Sequence, residues 1–155
     1  MPGALVPAML MLGGTLLESQ PVEALPILEA SLALSVRRKE LPMIIFAQTK
    51  IANCLHALGR HEEVLVLERD IYAGRVATYG VSHESTLGNG MNLAQSMLSL
   101  ELWDEARHLL RDQLLPAALV SLGANHEITL GIQHNIAGAL QDHPERTRDD
   151  LLEAE

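Results

Sequence analysis

Two similar segments of eight residues lie 43 residues apart in the chain, and this repetition constrains the fold more than any other feature. The first copy, GVSHESTL, begins at Gly80, and the second, GANHEITL, begins at Gly123. Farther along, NLA at Asn92 returns as NIA at Asn135, at the same offset. A fixed period of this length is typical of proteins that stack similar supersecondary units.

Matches at an offset of 42 residues extend the repeat toward the N-terminus. The matched pairs are Ile51 with Leu93, Ala52 with Ala94, Leu58 with Leu100, Glu63 with Glu105, Leu67 with Leu109, Arg69 with Arg111 and Asp70 with Asp112. A weaker copy lies near the start, where VEA at Val22 resembles DEA at Asp104. The last copy reaches Leu151 and Leu152 and is incomplete.

Two helical patterns fill each period. In the third copy, one apolar stripe begins at Leu87 and ends at Leu100, and a second begins at Ala106 and ends at Leu122. No alternation of β-branched and polar residues competes with them. The sequence predicts an all-α fold of antiparallel pairs, with helices near residues 5–18, 22–38, 42–58, 61–79, 84–101, 103–122, 127–141 and 145–155. One domain, 1–155, is expected to hold about three and a half repeats, at 5–40, 41–82, 83–125 and 126–155.

Residues at the ends of these patterns agree with helix stops and starts. Gly59, Gly80 and Gly123 follow helical runs, where a left-handed backbone suits glycine. Ser82 and Asn125 precede acidic residues at the start of the next helix, so we expect their side-chain oxygens to cap those helices.

One slot of the repeat weakens its helix. Pro116 lies in the middle of a predicted second helix, and Gly74 occupies the same slot 42 residues earlier. Relative to alanine, proline destabilises a helix interior by about 3 kcal/mol and glycine by about 1 kcal/mol. We therefore predict a bend or break at this slot, with the helix resuming at Ala117. A helix that ends at Leu115 is the alternative.

Composition and charge narrow the class of function. With 155 residues, 48% of them hydrophobic, and a single cysteine, the chain suits one domain without disulfides or a cysteine-built zinc site. A reducing, cytoplasmic compartment is its expected location. The formal charge of −9 repels phosphate backbones and anionic lipid, so we expect neither nucleic acid nor a membrane as a partner.

The N-terminal seventeen residues are uncharged and mostly apolar. They lack the basic start of a signal peptide and are shorter than the roughly 20 residues of a membrane span. We interpret them as a buried first helix, with a signal segment as the alternative.

The repeated residues resemble a tetratricopeptide repeat protein, in the long-period variant found in kinesin light chain. The marks are the junction at Leu122, Gly123 and His126, the NLA step at Asn92, and the small residue Ala106 in WDEARHLL. The resemblance covers about residues 41–142. It implies a right-handed solenoid of helix pairs whose first helices line a concave, peptide-binding groove.

The chain also departs from that family pattern. Gly88 and Gly90 interrupt a first helix, Pro116 interrupts a second, and the total charge is acidic. The cargo-adaptor role of kinesin light chain is therefore not expected to transfer, whereas the helical-hairpin fold and its peptide binding are.

Candidate binding residues come from the predicted first helices, whose polar side chains are amides, hydroxyls and imidazoles with few acids. The candidates are Lys50, Asn53, Asn92, Gln95 and Asn135. Asn92 and Asn135 share one repeat slot, which Lys50 occupies one repeat earlier. Such amides can bind a peptide backbone, and Lys50 can attract a carboxylate. The alternative is that these side chains bond to neighbouring helices and serve only the stack.

Signatures of metal binding and catalysis are absent from the sequence. His83 and His126 each begin His-Glu, but leucine stands where HExxH requires its second histidine. Cys54 has no partner cysteine, and no GxSxG, GxxxxGK[ST] or GxGxxG is present. We expect no metal site, no cofactor and no enzymatic activity. Trp103 is expected at a helix junction, where an exposed tryptophan would make a strong contact.

A protein-interaction scaffold is the function that these features favour. The first alternative is a structural module whose last apolar stripe, ending at Leu151 and Leu152, is covered by dimerisation or by further repeats in a longer parent chain. The second is an enzyme with an all-α pocket, for which no reactive group of residues is evident.

Overall fold

The computed structural model describes residues 2–142, which form seven helices and no strand. The helices are α1 (Leu5–Leu16), α2 (Pro21–Arg38), α3 (Leu41–Ala57), α4 (His61–Tyr79), α5 (Glu84–Ser99), α6 (residues 103–121) and α7 (Glu127–Asp142), preceded by one turn of 3₁₀ helix at Pro2–Ala4. Each lies within two residues of its predicted bounds, and the all-α prediction is confirmed. The eighth predicted helix, 145–155, falls outside the described residues.

The chain divides into two compact units, of which the first ends at Leu67. In the first unit α2 packs against both α1 and α3, and α1 also contacts α3. Its core takes one apolar face from each of these helices and the start of α4. The buried residues are Val6, Leu10, Ala24, Leu25, Leu28, Ala47, Ile51, Cys54, Leu55 and Val64. The apolar N-terminal segment thus supplies a core helix.

The second unit begins at Glu68 and contains the rest of α4 with α5, α6 and α7. Here α6 packs against both α5 and α7, which also contact each other. Its buried residues include Ile71, Leu87, Leu93, Ala94, Met97, Ala106, Leu109, Leu110, Leu114, Ala118, Ile132 and Ala139. The buried residues of α5 and α6 have helical spacing and lie within the two apolar stripes predicted for the third copy of the repeat.

Left-handed residues end several helices. Gly59, Gly80 and Gly123 have φ values of 70°, 82° and 88°, as predicted from their positions after helical runs. Lys39 and Glu101 adopt the same conformation, with φ of 57° and 59°, without being glycine. The five connections therefore share a left-handed backbone residue, but glycine identifies it in the sequence at only three of them.

The helix caps differ from the prediction, because histidines replace Ser82 and Asn125 as the capping residues. The Nδ1 atom of His83 accepts a hydrogen bond from the backbone N–H of Ser85 at 3.2 Å. At the equivalent position, Nδ1 of His126 accepts from the N–H of Ile128 at 3.3 Å. The histidine is the last residue before each helix, so its side chain reaches the first turn directly.

Helix α6 is irregular where proline was expected to disturb it. It begins as an α-helix at Trp103–Arg107, continues as a π-helix at His108–Leu114, and returns to α-helix at Leu115–Ser121. The N–H of Leu115 donates to the carbonyl of Leu110, five residues earlier. Pro116 lies in the first turn of the last segment, where its missing N–H is tolerated. The alternative of a helix ending at Leu115 is wrong.

The equivalent slot in α4 shows no interruption, because α4 continues through Gly74 to Tyr79. The hydroxyl of Thr78 donates to the carbonyl of Gly74 at 2.8 Å. A break at this slot was therefore predicted wrongly for Gly74. Glycine keeps its N–H and can maintain the α-helical ladder, whereas proline cannot.

Gly90 explains one departure from the usual repeat pattern. A Cβ atom built on Gly90 would lie 2.6 Å from Cδ2 of Leu114 and 3.1 Å from the ring of Tyr72. Gly88, two residues earlier, has no such neighbour. Leu114 ends the π-helical segment and is fully buried. The glycine at position 90 thus allows α5 to approach α6 closely.

Candidate functional site

The five predicted binding residues lie on first helices of the helix pairs, in two separate groups. Asn92 and Gln95 are on α5 and Asn135 is on α7, within the second unit. Lys50 and Asn53 are on α3, within the first unit. Gln95 and Asn135 line the same pocket, whereas Asn92 does not line it. Two of the five candidates, from different repeats, thus line one pocket.

This pocket, which we call the amide pocket, has a volume of about 270 Å³. Its lining includes Gln95, Leu98 and Ser99 from α5, Trp103 from α6, and His134 and Asn135 from α7. Polar and apolar groups contribute to it in similar proportion, and no charged side chain lines it. A pocket of this size and polarity suits one side chain of a ligand together with its adjoining peptide group.

The amide side chains of the four candidates Asn53, Asn92, Gln95 and Asn135 lack hydrogen-bond partners within the described residues, 2–142. Asn53, Asn92 and Gln95 are exposed, and Asn135 is half-buried. The alternative was that these amides form hydrogen bonds to neighbouring helices and serve only the stack. No such hydrogen bond is present in the described part of the chain.

Asn92 extends the polar face beyond the amide pocket. Residues 92, 95 and 99 of α5 are spaced by three and four positions, so they lie on one side of the helix. All three are exposed. The hydroxyl of Ser99 donates to the carbonyl of Gln95 at 3.0 Å, which leaves its oxygen as an acceptor. The face thus offers both donors and acceptors without a net charge.

In the first unit, Lys50 borders a different kind of cavity, which we call the apolar slot. It has a volume of about 480 Å³ between α1 and α3. Its lining includes Leu10, Met11 and Gly14 from α1, and Met43, Phe46 and Lys50 from α3. The ammonium of Lys50 lies 5.4 Å from the centre of the Phe46 ring, within reach of a cation–π interaction.

Sequence reasoning missed the apolar residues of this slot. Met11 is 74% exposed and Phe46 is 48% exposed, although both belong to strongly apolar helices. A stripe of apolar residues predicts a buried face, and nothing in the local pattern separates the buried members from the exposed ones. Only the packing of α1 against α3 separates them.

A third cavity, also missed, lies between α4 and α6 in the second unit and has a volume of about 660 Å³. Tyr72, Val76, Asp112 and Gln113 are among its lining residues. Burial raises the pKa of Tyr72. Asp112 lies 2.8 Å from Nδ1 of His108, four residues earlier in the π-helical segment. The cavity is thus on second helices and contains none of the predicted binding residues.

Acidic residues of the second helices are mostly exposed, and several pair with arginine. Arg69 pairs with Glu105 at 2.5 Å, and Arg60 pairs with Glu63 at 2.6 Å. The hydrogen bond from Arg60 lowers the pKa of Glu63. Both pairs are exposed, so each contributes little to stability. In a part-buried contact, the hydroxyl of Ser96 donates a hydrogen bond to Glu68 at 2.5 Å.

Two further kinds of site, metal centres and membrane spans, are not found among the described residues. Between residues 2 and 142, no three His, Cys, Asp or Glu side chains are grouped closely enough to hold a metal ion. In the same range, no helix combines the length and hydropathy needed to cross a membrane.

The sequence matches no protein-family model and no curated protein at a significant level. Solved structures are similar to it. One is described as the nearly identical TPR-like repeats of a Podosopora anserina kinesin light chain; its TM-score is 0.76 at 25% identity, over 96% of this chain and 69% of that one. A variant of the same protein with one substituted residue gives 0.74 at 24% identity, over 95% and 73% of the two chains.

The chain has a TPR-like repeat fold. The resemblance to kinesin light chain repeats is thereby confirmed for the fold. TPR-like repeats serve in general as protein-interaction scaffolds and are generally not enzymes. In this TPR-like chain the amide pocket lies among α5, α6 and α7, so it combines two first helices with the second helix between them.

Proposed function

We propose that this TPR-like chain binds a peptide segment of a protein partner on surfaces lined by its first helices, with the amide pocket as the main site. One observation carries the proposal. Gln95 and Asn135, which come from different repeats, line one pocket, and the side chain of neither has a hydrogen-bond partner within the described residues. Amides that converge without internal partners suit a ligand that supplies the missing donors and acceptors.

The chemistry of the amide pocket favours an extended peptide backbone. Each amide offers one carbonyl acceptor and an NH₂ group with two donors, which complement the N–H and C=O groups of a peptide. Leu98 and Trp103 supply an apolar wall beside these groups. Tryptophan is a frequent source of binding energy at interfaces. The preferred peptide therefore carries a small or medium uncharged side chain at the residue that enters the pocket.

Asn92, Lys50 and Asn53 remain candidates for peptide contact outside the amide pocket. Asn92 lies on the same side of α5 as Gln95, so a longer peptide can reach both. Lys50 and Asn53 are three residues apart on α3 and share a face. Lys50 is the candidate to attract a carboxylate of the ligand. We also propose a cytoplasmic location, on the basis of the lone, buried Cys54.

Selection from a peptide library, followed by titration of the best peptide, tests this proposal. We expect Gln95→Ala combined with Asn135→Ala to weaken binding by about tenfold or more, because two hydrogen-bonding groups are lost. Asn92→Ala combined with Asn135→Ala tests the shared repeat slot in the same way. Asn125→Ala is the matched control, since Asn125 is an exposed amide that does not line the pocket.

The variants also separate a binding role from a structural one. If the double variants keep full affinity and only their free energy of unfolding falls, the amides serve the fold and the proposal is wrong. Each variant is therefore measured by urea denaturation as well as by titration. Selection of no peptide at all from a diverse library would argue against peptide binding as such.

Self-association through the terminal repeat is the alternative to the proposed scaffold function. The residues that motivated it, Leu151 and Leu152, lie outside the described residues. Light scattering at several protein concentrations tests it directly. A mass that stays that of one chain at every concentration would remove a homodimer from consideration.

A further inference from the structure

The apolar slot differs in chemistry from the amide pocket. Its walls are hydrocarbon and thioether groups, mainly Leu10 and Met11 on one side and Met43 and Phe46 on the other. Its volume of about 480 Å³ is within the range of about 300–1,000 Å³ that is usual for small-molecule sites. Met11 is largely exposed and Phe46 is about half exposed, so apolar surface stays in contact with water when the slot is empty.

A single cation stands at one end of the slot. Although the chain contains twenty acidic residues, no carboxylate among residues 2–142 lies within ion-pair distance of Lys50. Its ammonium is placed beside the Phe46 ring, and a Cβ atom on Gly14 would be only 3.8 Å from it. Lys50 is half-buried. The slot thus presents one positive charge that the described protein leaves uncompensated.

The slot offers almost nothing to a peptide backbone. Apart from Lys50, its polar side chain is Thr15, whose hydroxyl already donates to the carbonyl of Leu12 at 2.8 Å. An extended peptide placed here would bury N–H and C=O groups without partners, which costs free energy. A ligand without such groups, and with one negative charge, avoids this cost.

The slot also has a direction. On α3, Met43 and Lys50 are seven residues apart, which is about 10 Å along a helix. A linear ligand that places its charge at Lys50 therefore lays its apolar part along Phe46 toward Met43. Because Lys50 is the sole charged lining residue of the slot, the favoured ligand is charged at one end only.

We propose that the apolar slot binds a medium-chain fatty carboxylate, with the carboxylate on the Lys50 ammonium and the alkyl chain between α1 and α3. Burial of the ligand's alkyl chain supplies most of the binding free energy. The ion pair with Lys50 selects the carboxylate over an uncharged head group. This site is independent of the amide pocket. A peptide carboxylate attracted by Lys50 would compete with the fatty carboxylate for the same ammonium.

Titration of the full chain with decanoate, below its micelle concentration, tests the assignment. Decanol is the matched ligand that lacks the charge. We expect saturable binding of decanoate with shifts in the methyl NMR signals of Met11 and Met43, and binding of decanol weaker by about tenfold. Met91, in the second unit, provides a methyl signal that is expected not to shift.

Lysine variants isolate the role of the charge. Lys50→Met is expected to remove the preference for decanoate over decanol while decanol binding persists, because the apolar walls are intact. Lys39→Met, at the other lysine of the chain, is expected to keep the preference. The Gln95→Ala, Asn135→Ala double variant is expected to bind decanoate normally, so failure of the peptide proposal leaves this one standing.

Several results would overturn the assignment. Equal affinity of the wild-type chain for decanoate and decanol would show that Lys50 selects nothing. Decanoate binding without shifts at Met11 and Met43 would place the ligand elsewhere. Tight binding of an amphipathic helical peptide in the slot, with no saturable binding of decanoate, would assign the slot to a protein segment instead.

Discussion

At the scale of single residues, the repeated histidines act as helix caps through their Nδ1 atoms. His83 and His126 occupy one slot of the repeat and each accepts a backbone N–H through Nδ1. His83 also contacts the hydroxyl of Ser85 at 2.8 Å and stacks on Tyr79, with ring centres 4.9 Å apart. The repeated histidines therefore have a structural explanation that requires no metal.

His83→Ala is expected to lower the free energy of unfolding by about 1 kcal/mol, because the first turn of α5 loses its cap. His83→Asn is the matched variant, since asparagine is itself a good capping residue and is expected to retain most of the stability. Urea denaturation of both variants measures the difference. Equal destabilisation by alanine and asparagine would show that the ring stacking with Tyr79, and not the cap, matters.

Cys54 gives a second prediction at this scale. The thiol is fully buried and donates to the carbonyl of Pro21 at 3.0 Å, and burial raises its pKa above the ordinary value of 9.0. Because alkylation requires the thiolate, the folded chain is expected to react more slowly with iodoacetamide than the unfolded chain at every pH up to that value. Mass spectrometry with and without urea measures both rates.

The same shift has a consequence for stability, whose sign follows from proton binding. Since the raised pKa lets the folded state hold the thiol proton to higher pH than the unfolded state, stability falls as the pH rises above the ordinary thiol value. Rapid alkylation of the folded chain at neutral pH would contradict the buried position of Cys54.

At the scale of elements, the helices and the disturbance near Pro116 followed from the sequence, but the π-helical form of that disturbance and the continuity of α4 through Gly74 did not. Apolar periodicity located each helix of residues 2–142, because burial of one face dominates where a helix forms. The π-helical segment His108–Leu114 ends just before Pro116, and its last residue, Leu114, packs where Gly90 of α5 leaves room. The caps were misassigned to Ser82 and Asn125, which are preferred types placed one residue too early.

The candidate site was predictable to a similar extent. Asn135 emerged from the repeat slot that it shares with Asn92, and Gln95 from the polar residues of the predicted first helices. The side chains beside them, such as Trp103 and His134, depend on how α5, α6 and α7 pack, which no local pattern specifies. The apolar slot was missed for the same reason.

Paired glycine substitutions in α5 test the close approach of α5 and α6. Gly90→Ala is expected to lower the free energy of unfolding by about 1–3 kcal/mol, because the new Cβ overlaps Leu114. Gly88→Ala is expected to raise it by about 0.5–1 kcal/mol, since its Cβ meets no neighbour and alanine favours a helix. If Gly90→Ala stabilises the chain as Gly88→Ala does, the two helices are not in close contact.

At the scale of the whole molecule, α4 belongs to both compact units. Its residue Val64 is buried in the core of the first unit and Ile71 is buried in the second. We expect the unfolding of the two units to be coupled, because neither core keeps all its members once α4 melts. If the chain is the single domain predicted from its sequence, its two units unfold in one cooperative transition.

Two probes at different places test this cooperativity. Trp103 reports on the second unit through its fluorescence, and Cys54 reports on the first through its reactivity in urea. We expect coincident transitions, and we expect Val64→Ala to shift both midpoints by the same amount. Separate midpoints, or a shift in only one of them, would show that the units unfold independently.

Because the junction of glycine and histidine recurs, we expect the chain to accept additional repeats. Residues 80–122 carry a complete 43-residue cassette, which opens with a left-handed glycine and supplies the imidazole that its own first helix needs. The next cassette begins at Gly123 with the same two elements. We expect a duplication of residues 80–122 in the gene after position 122 to preserve both junctions and to lengthen the array by one helix pair.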